Sequence, residues 1–579
     1  MVTDLFMVGT KRWRLQMAIG MLFHLLMTSS VWGNDHGLQV DPRSVEHGLV
    51  VSVDPIASRI GAQVLRDGGN AVDAAIATGF ALSVTYPAAG NLGGGGFMMV
   101  RLARDSSVFA VDFRERAPEA AYATMFLDAN GNIDQSKVNV GWLVVGVPGS
   151  PMGYWTVHQR CGKLDWSRLL EPAVQLAHRG FVVDSVLAAS LKQQEKAFQR
   201  FPETARVYMK PNGQAYSAGE RLQLPDLAAT LRRIRDGGME GFYRGVTARY
   251  LAEAMRANGG LVTEKDLISY QAKIRQPVIG SYHGYQIVSI CPPSSGGTVL
   301  IEMLHALEGY DLHASGHNTP STIHIMAEVM KRAYFDRAKY LGDPDFVNMP
   351  LSRLLSKGYV NQWRNTIGDM ATPSSVLGAE ILTGNESEET THFSVIDSEG
   401  NMVATTTTLE GGYGAKVIAK GTGFLLNNEM HDFNVKPGFT DRSGKVGTAP
   451  NLIEPGKRML SSQTPTLVLK GQEPFMVLGS PGGRTIINTV LQVILNVIEH
   501  QMPIQQAVDA PRVHHQWMPD RLMLESGVPN EILKALSGLG HNVRRRKRQG
   551  DCHAIWVDPE TGRYFPGVDR RIRGAAVGW

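Results

Sequence analysis

Cysteine is scarce in this 579-residue chain, since only Cys161, Cys291 and Cys552 occur, and they lie far apart. Three cysteines without a CxxC or CxxH spacing exclude a disulfide framework and a zinc-finger pattern, and they allow one disulfide bridge at most. Charge is also low, with 19% Asp, Glu, Lys and Arg and a formal net charge of +4. So small a net charge gives no electrostatic indication of a nucleic-acid partner.

An apolar run long enough to span a bilayer is missing near the N-terminus. The run from Leu15 to Met27 follows Lys11, Arg12 and Arg14 and precedes small residues, but a membrane-spanning helix needs about 20 apolar residues. This order is typical of a secretory signal peptide, which we expect over residues 1–33. The protein is therefore expected to be secreted or periplasmic, without a stable membrane span.

The remainder has a globular composition with 43% hydrophobic residues. Apolar spacing predicts helices over Gly68–Val84 and Ser321–Ala338, the second one opening with a serine that can cap it. From Thr390 onward the residues alternate and are β-branched, which is typical of strands, and helical periodicity returns over Thr485–Glu499. Helices, strands and helices again predict an α/β (α+β) fold of stacked layers.

Two local patterns have simple interpretations. The stretch "G-N-L-G-G-G-G-F-M-M-V" predicts a flexible turn before a buried strand. It lacks the Lys-Ser/Thr of a phosphate loop and places the strand after the glycines, which disfavours nucleotide binding. The basic run Arg544–Arg548 is interpreted as a solvated turn rather than a nucleic-acid or membrane surface.

Six threonines occur between Glu389 and Glu410, a region without a serine-hydrolase elbow or a metal-ligand cluster. If 397–401 is a three-residue hairpin loop with Gly400 in the left-handed conformation, Thr390 faces Thr408 across the two strands. A two-residue loop would pair Thr390 with Leu409 instead. Threonine in strands is usually explained by β propensity alone.

One chemistry uses such a threonine as its nucleophile. At the first position of a chain, the residue's own α-amino group, with an ordinary pKa of about 7.7 to 8, can act as the base for its hydroxyl. Thr390 acquires such a terminus only when the Glu389–Thr390 bond is cut. Its own hydroxyl could do this by attacking the preceding carbonyl, giving an ester that water resolves.

Eight stretches occur in the order and at the spacings of one family. They are "N-A-V-D-A-A-I-A", "G-N-L-G-G-G-G-F", "V-D-F-R-E-R-A-P", "C-P-P-S-S-G-G", "T-T-H-F-S-V-I-D", "G-F-L-L-N-N-E-M-H-D-F", "K-R-M-L-S-S-Q-T-P-T" and "S-P-G-G-R-T-I-I-N-T-V-L-Q". The chain after the signal resembles the γ-glutamyltranspeptidases, which are N-terminal-nucleophile hydrolases. Several stretches in order are far more specific than any one glycine-rich loop.

The resemblance implies an exported proenzyme with a four-layer αββα fold. Self-cleavage would give a large subunit, residues 34–389, and a small subunit, residues 390–579, that stay together as a heterodimer. The implied activity is that of a γ-glutamyltransferase and glutathione hydrolase without metal or organic cofactor. Water, an amino acid or a peptide amine would resolve a γ-glutamyl ester on Thr390.

The resemblance also assigns the site. Thr390 matches the nucleophile and Thr408 the threonine that orients it, while Gly482 and Gly483 match an oxyanion hole, a role suited to backbone N–H groups in a tight turn. The remaining matches concern the two charges of a γ-glutamyl group. Its α-carboxylate would bind Arg114, Ser461 and Ser462, and its α-ammonium would bind Glu410, Glu429 and Asp432.

Some positions depart from the usual pattern, and two other functions stay open. Glu410 stands where many members have Asn, and Ser443 stands where an aromatic gate occurs in members with a lid loop, here within 433–458. One alternative is a glutaryl-type cephalosporin acylase on the same fold, although its substrate lacks the α-ammonium that the three acidic residues suit. The other is a γ-glutamyl-binding protein without turnover.

Overall fold

The computed structural model describes residues 38–378, 389–438 and 449–579, so the predicted signal peptide lies outside the described residues. The strands, numbered along the chain, are β1 Gln39–Val40, β2 Gly48–Ser52, β3 Gly95–Arg101, β4 Val108–Asp112, β5 Phe181–Val182, β6 Arg221–Leu222, β7 Lys273–Arg275, β8 Val278–Tyr282, β9 Tyr285–Ser289, β10 Thr391–Asp397, β11 Met402–Thr408, β12 Thr466–Lys470, β13 Glu473–Gly479, β14 Val513–His514, β15 Leu522–Glu525, β16 Val543–Arg546, β17 His553–Val557, β18 Tyr564–Val568 and β19 Ala575–Gly578.

The helices are distributed over the whole described chain. They are α1 Pro55–Arg66, α2 Ala71–Thr85, α3 Ser150–Cys161, α4 Trp166–Arg179, α5 Ser185–Phe198, α6 Pro202–Tyr208, α7 Pro225–Gly237, α8 Glu240–Tyr243, α9 Gly245–Asn258, α10 Glu264–Ser269, α11 Gly296–Leu307, α12 Leu312–Ser315, α13 Pro320–Tyr340, α14 Leu351–Leu354, α15 Lys357–Arg364, α16 Ser374–Leu377, α17 Thr485–Ile498, α18 Ile504–Asp509 and α19 Asn530–Gly538. Short 3₁₀ turns cover Glu429–Asp432 and Ala449–Asn451.

Two antiparallel sheets form the centre of the fold. The eight-stranded sheet has the order β1-β19-β2-β10-β11-β3-β4-β7, and the six-stranded sheet has the order β18-β17-β13-β12-β9-β8. The sheets pack face to face, with β10 and β11 of the first against β13 of the second. Two smaller sheets, β14-β15-β16 and β5-β6, lie outside this pair.

Helices cover both outer faces, which confirms the four-layer prediction. Helices α1, α2 and α3 pack on the eight-stranded sheet, and α11, α17 and α18 pack on the six-stranded sheet. Alternate residues of a strand point to opposite faces. In β10, Phe393 and Val395 therefore enter the core under α1–α3, whereas Ile396 enters the core between the sheets.

The predicted helices are present, with one correction at a cap. Helix α2 matches the predicted segment and begins at a capping box in which the Asn70 side chain accepts from backbone amides of the first turn. Helix α13 also matches, but its N-cap is Thr319, whose hydroxyl accepts from the Thr322 amide. Ser321 does not cap it, because Pro320 already occupies the first helical position.

The glycine-rich stretch is not a flexible turn, which corrects the prediction. Gly95 and Gly96 belong to β3 and pair with β11. A Cβ on Gly94 would lie 2.0 Å from the Thr408 carbonyl oxygen, and one on Gly96 would lie 2.2 Å from that of Thr406. These glycines permit close backbone approach to the strand that ends at Thr408.

The basic run is also not a turn, since Arg544–Arg546 lie in β16, parallel to β15. Arg545 donates to the backbone carbonyl of Glu525, which anchors the strand. Within the described ranges, no helix combines the length and apolar character that crossing a membrane requires.

Candidate active site

The hairpin of β10 and β11 has the register predicted from the sequence. Thr391 pairs with Thr407 and Ile396 pairs with Met402. Gly400 has φ of 81°, and the Asp397 N–H donates to the Asn401 carbonyl. The three-residue loop is therefore present, and the alternative two-residue loop is wrong.

Thr390 lies immediately before β10, at the end of a central strand, and is buried like Thr408. The two hydroxyl oxygens are 3.3 Å apart. The Thr408 hydroxyl donates to the Glu389 carbonyl oxygen at 3.1 Å and accepts from the Glu410 N–H at 2.9 Å. Because a hydroxyl has one proton to donate, Thr390 must donate to Thr408 when Thr408 donates to Glu389.

The backbone of Thr408 is held by residues from the glycine-rich stretch. The Asn91 amide nitrogen donates to the Thr408 carbonyl at 2.9 Å, and its oxygen accepts from the Gly94 N–H at 3.0 Å. The Ser150 hydroxyl also donates to the Asn91 side-chain oxygen, at 2.7 Å. Asn91 thereby positions Thr408 although the two residues are 317 positions apart.

Thr390 and Thr408 open into a pocket that brings together nearly all predicted site residues. The predicted residues that line it are Arg114, Thr390, Thr408, Glu410, Glu429, Asp432, Ser461, Ser462 and Gly483. Gly482 is adjacent to Gly483 in the same turn, and Glu389 is bonded to Thr390. The space in this pocket that a water molecule can enter is about 40 Å³.

Arg114 lines this pocket and is almost fully buried. Its guanidinium donates to the Glu429 carboxylate and, at 2.5 Å, to Asp432 Oδ2. Burial alone lowers the pKa of an arginine, but the carboxylates of Glu429, Asp432 and Glu115 outweigh it and raise the pKa of Arg114. The predicted carboxylate-binding and ammonium-binding groups thus pair with one another in this structure.

A third acidic residue, Glu115, lies next to Arg114. Glu115 is fully buried with an oxygen 3.6 Å from the Arg114 guanidinium. Burial raises the pKa of Glu115 to about 7, although Arg114 opposes the shift. Burial also raises the pKa of Glu429 well above its usual value, and the neighbouring carboxylates of Glu115, Asp432 and Glu410 act in the same direction.

Glu410 also lines the pocket and has a left-handed backbone conformation, φ 74°. Its carboxylate accepts from the Asn428 side-chain amide, and one oxygen is 3.6 Å from His431 Nδ1. Lys416 lies close by and donates to the Gly412 carbonyl. Burial lowers the pKa of Lys416 to about 8, with Glu410 and Glu389 opposing the shift.

Ser461 and Ser462 are held by an arginine that sequence reasoning missed. Arg337, in α13, donates from Nη2 to the Ser462 hydroxyl oxygen at 3.0 Å and from Nε to Ser295 Oγ at 2.9 Å. Ser295 in turn donates to the Ser461 carbonyl at 2.7 Å. Because Arg337 occupies a lone pair of Ser462, the serine proton is available to an acceptor in the pocket.

The turn at Gly482 and Gly483 precedes helix α17. Both glycines have positive φ, 131° and 56°, and a Cβ on Gly482 would lie 2.5 Å from Thr485 Oγ1. The Gly482 carbonyl accepts from the Thr485 N–H and hydroxyl. Such a turn at a helix N-terminus directs backbone N–H groups toward an anion.

Sequence reasoning also missed Gln463, Arg484 and Ile486, which line the same pocket. They lie within recognised stretches, but nothing in their own spacing indicated a site. The predicted gate position, Ser443, and the central part of the predicted lid lie outside the described residues. Across the described ranges, no group of three or more His, Cys, Asp or Glu side chains is arranged to hold a metal ion.

The fold has four layers in the order α, β, β, α, and a threonine at the start of a central strand opens into a polar pocket. This arrangement defines the class of N-terminal-nucleophile hydrolases. A crystal structure of cephalosporin acylase from Bacillus halodurans matches with a TM-score of 0.82 and 28% identity, covering 95% of this chain and 98% of that one. Helicobacter pylori γ-glutamyltranspeptidase matches with a TM-score of 0.56 and 43% identity, covering 56% of this chain and 93% of that chain.

The family is shown by the sequence comparisons. The model of the γ-glutamyltranspeptidase family matches residues 57–579. A glutathione hydrolase proenzyme from Pseudomonas sp. strain A14 is 44% identical over 559 residues, covering 94% of this chain and 96% of that protein. The chain belongs to the γ-glutamyltranspeptidase family.

Proposed function

We propose that the protein is a self-processing γ-glutamyltransferase and glutathione hydrolase in which Thr390 is the nucleophile. The observation that carries this proposal is one pocket that joins the Thr390–Thr408 pair to Arg114 and to the acidic side chains of Glu410, Glu429 and Asp432. A γ-glutamyl group has one reactive carbonyl at one end and an α-carboxylate with an α-ammonium at the other. The pocket offers complementary groups for each of these features.

Self-cleavage begins with attack of the Thr390 hydroxyl oxygen on the Glu389 carbonyl carbon. As the C–O bond forms, the Thr390 proton passes to the Thr408 oxygen, and Thr408 passes its own proton along its hydrogen bond to the Glu389 oxygen, where negative charge develops. The C–N bond then breaks, its nitrogen takes up a proton, and an ester remains. Water hydrolyses this ester, leaving a carboxylate on Glu389 and a free α-amine on Thr390.

In the processed enzyme the α-amine of Thr390 takes the proton of its own hydroxyl while the oxygen attacks the γ-carbonyl of the donor. The amides of Gly482 and Gly483 stabilise the oxyanion. The proton then passes to the departing amine, and a γ-glutamyl ester remains on Thr390. Water converts the ester to glutamate, whereas an amino acid or peptide amine converts it to a new γ-glutamyl amide.

Substrate binding replaces the internal ion pairs of the pocket. The α-carboxylate binds the Arg114 guanidinium together with Ser461 and Ser462. The α-ammonium binds Glu429 and Asp432, so opposite charges stay paired throughout. Glu410 adds a third carboxylate near the ammonium. This exchange avoids leaving a buried charge without a partner, which would cost several kcal/mol.

The two subunits are proposed to be residues 34–389 and 390–579, which remain together as a heterodimer. The word "proenzyme" in the name of the Pseudomonas relative supports processing. The Helicobacter pylori chain covers 56% of this chain with 93% of its own length, and residues 34–389 likewise make up somewhat more than half of the protein. We infer a secreted or periplasmic location from the N-terminal segment.

The acylase alternative has a specific observation in its favour, namely the match to the Bacillus halodurans structure. A glutaryl group has no α-ammonium, however, so Glu410, Glu429 and Asp432 would face an apolar methylene. A carboxylate left without a cation in this position is unfavourable. A binding protein without turnover is disfavoured because nucleophile, orienting threonine and glycine turn occur together.

The test combines chain analysis with turnover. Intact mass and N-terminal sequencing should give two chains, one beginning Thr-Thr-His-Phe-Ser, and the protein should hydrolyse γ-glutamyl-p-nitroanilide faster than glutaryl-p-nitroanilide. Thr390→Ala should remain a single chain without activity. Cleavage of that variant at the same bond would refute the nucleophile, and faster glutaryl hydrolysis by the natural protein would favour the acylase.

A further inference from the structure

Gln463 is a buried polar residue on the pocket wall with an unusual property. Its side chain is 2% exposed and lines the pocket beside Ser461 and Ser462. Neither its amide oxygen nor its amide nitrogen has a hydrogen-bond partner among the described residues. Burying a polar group without a partner is unfavourable, so such a group in a pocket indicates a partner supplied by the ligand.

The backbone holds Gln463 in place. Its carbonyl accepts from the Ser294 hydroxyl at 2.6 Å, and its N–H donates to the Ser461 hydroxyl oxygen at 3.1 Å. Ser461 is itself anchored, because its N–H donates to the Pro293 carbonyl at 2.9 Å. The unpaired carboxamide is therefore presented from a fixed segment, which reduces the entropy lost when a ligand binds.

The chemistry of this side chain differs from that of the charged groups around it. Arg114 only donates hydrogen bonds, and an ionised carboxylate only accepts them. A carboxamide does both through two atoms on one carbon. The α-carbon of a γ-glutamyl group likewise carries an acceptor, the carboxylate, and a donor, the ammonium, so the two ends match as a bidentate pair.

We propose that the Gln463 carboxamide binds the α-amino-acid end of the γ-glutamyl donor and sets the preference for γ-glutamyl over glutaryl groups. Its nitrogen donates to the α-carboxylate, and its oxygen accepts from the α-ammonium. A glutaryl group keeps the carboxylate but lacks the ammonium, so it uses only one of the two hydrogen bonds. This inference rests on the proposed function, because it names a further residue of the same site.

The experiment uses Gln463→Met in the full-length, processed protein. Methionine has a similar length and no hydrogen-bonding amide, so it keeps the packing and removes both bonds. The kcat/KM for γ-glutamyl-p-nitroanilide should fall about tenfold or more through KM, since uniform binding is lost. The value for glutaryl-p-nitroanilide should fall threefold or less, and the ratio of the two should drop accordingly.

Ile486→Val is the matched control, because Ile486 lines the same pocket without a polar group. It should change both substrates by the same factor. Equal losses on both substrates in Gln463→Met, or no loss on the γ-glutamyl substrate, overturn the proposal and leave Gln463 a packing residue. A loss that differs between the anilide and glutathione as donors overturns it too, because the amide would then contact the leaving group.

Calorimetry with L-glutamate and glutarate separates this inference from the proposed function. If the natural protein binds both but shows no turnover, the proposed function fails while the role of Gln463 is still decided. Glutamate affinity should fall about tenfold in Gln463→Met, and glutarate affinity should fall threefold or less. Equal affinities of the natural protein and the variant for glutamate contradict the inference.

Discussion

Replacing Thr408 by valine should slow self-cleavage more than it slows turnover. Valine keeps the shape of threonine but removes the hydroxyl that contacts Thr390, the Glu389 carbonyl and the Glu410 amide. Loss of one donor to a developing oxyanion costs about 10² to 10³ in rate. We therefore expect Thr408→Val to split about 10² to 10³ times more slowly than the natural chain.

Under the proposed cleavage, the processed enzyme would no longer contain the Glu389 amide carbonyl, since that carbonyl would have become a carboxylate. Of the contacts that act in turnover, the variant then lacks the one that orients the Thr390 hydroxyl. The kcat for γ-glutamyl-p-nitroanilide should fall about tenfold for each 1.4 kcal/mol that this hydrogen bond contributes. The Glu410 N–H also loses its acceptor, and the free energy of unfolding should fall by about 1 to 3 kcal/mol.

The assay is a time course of intact mass on freshly purified precursor, followed by kinetics on the fully processed fraction. Thr405→Val is the matched control, because Thr405 is a buried threonine of the same strand whose hydroxyl has no partner among the described residues. It should split at the natural rate. Splitting of Thr408→Val at that same rate would refute the role of the Thr408 hydroxyl.

Three further perturbations test other parts of the site. Arg114→Lys keeps a charge but loses the fork, so KM for γ-glutamyl-p-nitroanilide should rise at least about tenfold with kcat little changed; an unchanged KM would place the α-carboxylate elsewhere. Gly482→Ala puts a Cβ 2.5 Å from Thr485 Oγ1 at φ 131°, so kcat should fall about 10²-fold. Gly471→Ala is the control, because its Cβ, at φ 66°, would have nothing within 4 Å. This variant should only lower the free energy of unfolding, by about 1 to 2 kcal/mol. Burial raises the pKa of Glu115 to about 7 from an ordinary 4.5, so the folded state holds a proton that the unfolded state releases, and this group's contribution to stability is lost as pH rises from about 4.5 through 7. Urea unfolding at pH 5 and pH 8 should show this loss, at most about 3 kcal/mol, and Glu115→Gln should remove it; an unchanged pH slope in that variant contradicts the assignment.

Local features were predictable because near neighbours decide them. The hairpin register follows from the loop length and from Gly400, within 18 residues, and the structure has that register. The layered fold follows from the change between helical and alternating periodicity. The cap of α13 was misassigned because Pro320 at the first helical position moves the cap to Thr319.

Other features were not visible because their cause is a contact between distant segments. The glycine-rich stretch was predicted to be a flexible turn, but its glycines serve close packing against β11, which lies some 300 residues later. Arg337 carries no local signal of a role, since its function depends on Ser462, 125 positions away. Gln463 stood within a recognised stretch, yet only its burial without a partner distinguishes it from any other glutamine.

The pairing of Thr390 with Thr408, the layers and the family could be predicted from the residues alone, because strand alternation, turn chemistry and ordered matching segments are all properties of short stretches. The chemistry of the pocket, in contrast, depends on contacts between distant segments. Arg114 meets Glu429 across 315 residues, and Asn91 holds Thr408 across 317. Such contacts form only when the two sheets and their helices pack, and packing also sets the burial that raises the pKa of Glu115.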